Sequence, residues 1–129
     1  MLLLDTHVLL WTLNETDKLS FTAHRAISQN QCCISIVSLW EMAVKASLVR
    51  EEKRLVLDRS ILSFAELCQS YDIEILPVTP LDCEQVTKLA HIHSDPFDRM
   101  IVAQAMTRNI PLVTKDKNIW KYEGIEKIW

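Results

Sequence analysis

Glycine is almost missing from this chain: one residue, Gly124, in 129. A P-loop or a dinucleotide-binding turn needs several glycines, because the backbone must approach phosphate where a Cβ would intrude. Nucleotide hydrolases of the P-loop kind and Rossmann dehydrogenases are therefore excluded. Long apolar runs are missing too, since none nears the ~20 residues that span a bilayer. No basic leader with a cleavage site opens the sequence. The expectation is a cytoplasmic protein with no membrane partner. The four cysteines, Cys32, Cys33, Cys68 and Cys83, lack C-x-x-C spacing and read as free, half-buried thiols. His91 and His93, two residues apart, read as surface or cap side chains rather than zinc ligands. Positive charge is not in surplus, the net charge being −3. That argues against a nucleic-acid coat protein but not against a nuclease, whose own carboxylates lower the sum.

What is present is apolar and well punctuated. Hydrophobic residues make up 49% of the chain, enough for one compact domain over 1–129 with a real core. Strands are expected at 2–5, 32–37, 73–78 and 110–116, with a last one in "IEKIW". Helices are expected at 7–14, within "DKLSFTAHRAISQ" after Ser20 as N-cap, and in "SLWEMAVKASL" and "SILSFAELCQSYD". Two further helices open on Thr79-Pro80 and Asp95-Pro96, each a cap followed by proline at the first helical position. In "SLWEMAVKASL" the apolar face is read as Leu39, Trp40, Ala43, Val44 and Leu48. The charged stretch 49–59 reads as a loop with a short helical or extended piece, and "KNIWKY" as a helical turn. Strands that alternate with helices predict an α/β domain with a mostly parallel sheet covered on both faces.

The acids fall at matching places. Asp5 ends the first strand, Glu41 sits in the first turn of the helix after the second, Asp98 in the first turn after Pro96, and Asp116 just past "IPLV". Ligands of open α/β sheets bind outside the carboxyl ends of the strands, so parallel, adjacent strands would bring the four acids to one crevice. Each has a blander reading. Ser38 to Glu41 fits an S-x-x-E capping box. Asp95 and Asp98 fit a cap and a dipole-favoured acid. Asp116 fits a turn with Asn118. Asp5 resists this, because it follows a continuous apolar run and position 8 is valine. Two carboxylates about 4 Å apart repel by about 4 kcal/mol at an effective dielectric of about 20, so a cluster needs a cation or a raised pKa. Oxygen donors without Cys or His at metal spacing favour Mg²⁺ or Mn²⁺, which can activate water for phosphoryl chemistry.

The blocks "LLLDTHVLLW", "SLWEMAVK", "SDPFDRMIVAQA" and "PLVTKD" resemble, in order and spacing, the PIN-domain family and within it the VapC-type toxin ribonucleases of bacterial toxin–antitoxin pairs. The resemblance runs along the whole chain, apart from 49–60. It implies a parallel sheet of four or five strands flanked by helices. It also implies an Mg²⁺- or Mn²⁺-dependent endoribonuclease that hydrolyses RNA phosphodiesters with water activated by the ion. The family's acids fall on Asp5, Glu41, Asp98 and Asp116, as catalytic and metal-binding residues. Its hydroxyl residue falls on Thr114, which with Thr6 and Asp95 would support the acids. Arg99, Lys115 and Lys117 lie beside the acids and are expected to contact RNA phosphates. The implied partners are a small antitoxin that occludes the cleft and a second copy of the chain. Trp11, Trp40 and Trp120 could line an exposed groove, with a core role expected for at least two of them.

Other readings are weaker. A haloacid-type phosphotransferase needs D-x-D, and position 7 is histidine. A receiver domain does not place its acid where Asp5 lies. The serious alternative is a non-catalytic RNA-binding or regulatory module whose acids are helix caps.

Overall fold

The computed structural model describes residues Met1–Trp129. Five strands, β1 Leu2–Leu4, β2 Cys32–Ser35, β3 Glu74–Leu76, β4 Leu112–Val113 and β5 Lys127–Ile128, form one sheet in the order β3-β2-β1-β4-β5. Every pairing is parallel. Helices α1 Thr6–Asn14, α2 Phe21–Gln29, α3 Ile36–Ala46, α4 Ile61–Ser70, α5 Pro80–Lys88 and α6 Pro96–Arg108 supply the connections. The charged stretch contains only a 3₁₀ turn, Glu51–Lys53. The expected caps are present: Ser20 accepts from the Ala23 amide, Thr79 from Asp82 and Asp95 from Phe97 and Asp98. The single glycine sits at φ +84 in the turn before β5, a conformation that L side chains rarely adopt.

Alternation along β1 divides the core. Leu2 and Leu4 face one layer, with Val8, Leu9, Leu39, Met42 and Phe64. Leu3 faces the other, with Leu112, Tyr122 and the Ile101, Val102, Ala103 and Ala105 side chains of α6. This is how a triplet of leucines comes to be buried on both faces. β2 and β3 lie to one side of β1, and the chain then crosses to lay β4 on the other side. The strand order therefore reverses between β1 and β4, the switch point where such sheets bind ligands.

Two expectations shift. The second strand ends at Ser35, which caps the Val37 amide, so α3 begins at Ile36 rather than near Ser38. The capping box expected for Ser38 and Glu41 does not form. Ser38 is buried within α3 and accepts from the Thr6 hydroxyl at 2.9 Å. Glu41 lies in the second turn, not the first. The same start turns the helix: Leu39 and Met42 enter the core, while Trp40 is 59% exposed. Trp120 is 44% exposed, and only Trp11 is packed partly against the core, between His7 and Trp129. A core role for two of the three tryptophans does not hold.

Candidate active site

At the carboxyl edge of β1 the backbone amide of Asp5 pairs with Val113, and its carbonyl accepts the first helical bond from Leu9. Asp5 is therefore the backbone cap of α1, yet its side chain caps nothing. That carboxylate, 5% exposed, instead accepts from the Thr114 hydroxyl at 2.7 Å. Thr114, just past β4, accepts in turn from the Asp116 amide at 3.0 Å. The strand-end acid thus finds a partner across the switch point. Burial, against the Thr114 bond, raises the Asp5 carboxyl above the usual range, with Glu41 and Asp116 adding to the rise.

Asp5 opens onto a cleft of about 350 Å³, lined also by Glu41, Asp95, Asp98 and Asp116. The four predicted acids therefore meet, and Asp95 joins them. One carboxylate oxygen from each of Glu41, Asp95 and Asp98 lies within 4.8 Å of the other two. Asp95 does both things expected of it: its Oδ1 caps α6 while the residue lines the cleft. Asp116 likewise holds the Asn118 amide on Oδ1 at 2.7 Å. The bland and the chemical readings of these acids are compatible, because a carboxylate has two oxygens.

The crowding has an electrostatic cost. Burial first, then the charges of Asp95, Asp5, Glu41 and Asp116, push the Asp98 carboxyl up to about 8. Glu41 is 4% exposed and its Oε1 is buried without any hydrogen-bond partner. Such an orphan calls for an explanation, and a cation is the one this donor set supplies.

Among the expected basic residues, Lys115 lines the cleft, its ammonium 6.0 Å above the Trp11 ring. Lys117 is exposed and does not line it. Arg99 is a correction. Its guanidinium donates to the carbonyls of Ala90, His93 and Val86 and to the Tyr122 hydroxyl, which fastens the loop before α6 and turns the charge from the acids. His93 is another: its Nδ1 bonds the Tyr122 hydroxyl at 2.9 Å and its Nε2 lies 3.5 Å from Asp98 Oδ2, with the side chain 12% exposed. A surface role is untenable there. His7 and Lys45 also line the cleft and were not singled out in the sequence. The spacing of Lys45, one turn beyond Glu41, was the available signal.

The PIN domain model matches residues 2–125. The chain belongs to the PIN-domain family. It is 30% identical over 119 residues to Ribonuclease VapC22 of Mycobacterium tuberculosis, across 91% of this chain and 88% of that one. Two solved structures share the PIN fold closely. DNA-bound VapBC from Salmonella typhimurium aligns with TM-score 0.67 at 19% identity, over 98% of this chain and 95% of the other. VapBC2 from Rickettsia felis, bound to a promoter DNA fragment, aligns with 0.68 at 16%, over 98% and 96%. The five-stranded parallel sheet is the PIN architecture, and the acidic cleft lies at its switch point.

Proposed function

We propose that this chain is a divalent-metal-dependent endoribonuclease, the toxin of a toxin–antitoxin pair. The observation that carries this reading is the meeting of Asp5, Glu41, Asp98 and Asp116, from four separate segments, in one cleft with Asp95. The relative named a ribonuclease supports RNA as substrate. The VapBC complexes among the structural neighbours support an antitoxin as partner. A second copy of the chain is the other partner. No helix is long and apolar enough to cross a membrane, and action on cellular RNA accords with the cytoplasmic location expected from the sequence.

The residues fit a hard cation. All the donors are carboxylate oxygens, the set that suits Mg²⁺ or Mn²⁺, and Glu41 Oε1 is a buried acceptor with nothing to accept. Glu41, Asp98 and Asp5 would hold the ion, with Asp95 and Asp116 completing the set. When bound, it supplies Lewis-acid stabilisation of the phosphoryl oxygens and acidifies water. The chain's own part is positional. Thr114 fixes the Asp5 carboxylate, Asp95 fixes the start of α6 and with it Asp98, and Lys115 offers a cation at the mouth. Thr6 acts at one remove, through Ser38 of α3.

The test is cleavage of total cellular RNA by the purified chain with Mg²⁺, with Mn²⁺ and with chelator, beside an Asp98→Asn control. Discrete fragments that vanish with chelator and in the variant are expected. Folded, antitoxin-free protein that cuts nothing under any condition would shift the reading to a regulatory module. A second check needs no RNA. Asp98 ionises near 8 in the ion-free protein, and a metal ligand must be deprotonated. Mn²⁺ binding at pH 7 is therefore expected to expel about one proton, read by calorimetry in two buffers of different ionisation enthalpy. Equal heats in both buffers would contradict it.

A further inference from the structure

We propose that Lys45 is a working residue of the cleft: its ammonium holds Glu41 in the ion-free protein and binds the RNA phosphate once an ion takes that carboxylate. This rests on the ribonuclease reading above. Lys45 lies four residues after Glu41 on α3, and its Nζ reaches Glu41 Oε2 at 2.6 Å. An i,i+4 pair on an exposed helix face is ordinarily a weak, solvated ornament. This one is different. The glutamate side chain is 6% exposed, and the lysine lines the same cleft as the other four acids.

The pair is also incomplete. Lys45 satisfies Oε2 and leaves Oε1 buried and bare. A carboxylate half-satisfied by a flexible cation is suited to exchange that cation for another. Lysine and arginine are the side chains that stay cationic whatever the pH near neutrality. Of these, only Lys45 and Lys115 line the cleft, against five carboxylates. A divalent ion on Glu41 repels the adjacent ammonium. The lysine side chain is 41% exposed, on a flexible four-carbon stem, so it can swing toward the mouth while the backbone stays in place. The anion that arrives there is a phosphodiester, and a lysine ammonium recognises phosphate as a point charge. Lys115 stands beside Trp11 as a second such charge, whereas Arg99 is tied elsewhere.

The experiment compares wild type with Lys45→Met, which keeps the stem without the charge, and Lys45→Arg, which keeps the charge. Mn²⁺ affinity is measured on RNA-free protein, and cleavage of total cellular RNA is measured with saturating Mn²⁺. Lys45→Met is expected to bind Mn²⁺ roughly tenfold more tightly, because one like charge beside the ion is gone. It is expected to cleave RNA about a hundredfold more slowly. Lys45→Arg is expected to restore most of the cleavage. A merely structural role would not tighten metal binding while slowing cleavage. Unchanged or weaker Mn²⁺ binding in Lys45→Met overturns the proposal, as does undiminished cleavage. Failure of the ribonuclease reading looks different, because wild type itself then cuts nothing. In that case tighter Mn²⁺ binding still supports the hold on Glu41, and its absence overturns it.

Discussion

Asp98→Asn is expected to slow metal-dependent RNA cleavage by about three orders of magnitude, the several kcal/mol that a bound divalent ion contributes to a phosphoryl transition state. The amide keeps the shape of the side chain and removes one anionic donor from the tightest part of the cleft, where Glu41, Asp95 and Asp98 approach one another. The same variant is expected to be more stable than wild type without metal. The sign follows from linkage. In the unfolded chain this carboxyl ionises near 3.8, and in the fold near 8. Between those values the folded protein holds a proton that the unfolded chain gives up, so stability falls as pH rises through the window. Asparagine suffers no such loss. Melting curves of the ion-free proteins should nearly coincide below pH 4 and separate by several degrees at pH 8, with the variant higher. Adding Mn²⁺ should reverse the order, because wild type gains more binding free energy on folding than a variant with one anionic donor fewer. Rapid cleavage by Asp98→Asn, or a variant that melts below wild type in chelator at pH 8, would count against the site.

Asp82→Ala is expected to cost about 3–5 kcal/mol, the usual consequence of breaking a buried ion pair, or roughly 10–20 °C in melting temperature. Asp82 is fully buried. Its Oδ1 accepts from Arg108 Nη1 at 2.7 Å and from the Thr107 hydroxyl at 2.5 Å, and its Oδ2 from the Thr79 amide at 2.9 Å. One carboxylate therefore completes the capping box of α5 and bolts α5 to the end of α6. Burial works against the charge, but the bonds from Arg108, Thr107 and Thr79 prevail and hold the carboxyl well below its ordinary range. Its contribution is present above the unfolded value of 3.8 and is lost only as pH falls toward the folded one. None of these partners lines the acidic cleft, so cleavage per folded molecule should match wild type well below the lowered melting temperature. A melting shift under about 2 °C would mean that the network contributes little.

Asp82 shows what kind of signal is easily passed over. Thr79-Pro80 announces the helix, and the T-x-x-D that closes the capping box is equally local. Its pairing with Arg108, 26 residues on, is not. Residues 35–41 show the opposite error. Ser38 and Glu41 have capping-box spacing, but Ser35 takes the cap. Spacing alone cannot say which of two serines ends the strand, because the choice is made by β2 pairing with β1 through Ile34 and with β3 through Ser35.

By itself the sequence determined the alternation of strands and helices and the caps at Ser20, Thr79 and Asp95, since these rest on hydrophobic period and on bonds within one turn; its excess of hard oxygen donors supports the chemistry proposed above. It also placed Asp5, Asp98 and Asp116 at or beside element ends, while Glu41 falls one turn further into its helix than the sequence implies. Tertiary structure decided the rest. It set the strand order that puts β4 beside β1, and so brought Thr114 to Asp5 across 109 residues. It turned α3 so that Trp40 faces solvent and Glu41 faces the cleft. It drew Arg99 into the carbonyls around Tyr122 and seated Lys45 and His93 against the acids. The physical reason is common to all of these. A side chain's period and propensity are local, but its partner is whatever packing brings within about 3 Å of it, and both the burial that raises Asp98 and the hydrogen bonds that lower Asp82 exist only once both layers have closed on the sheet.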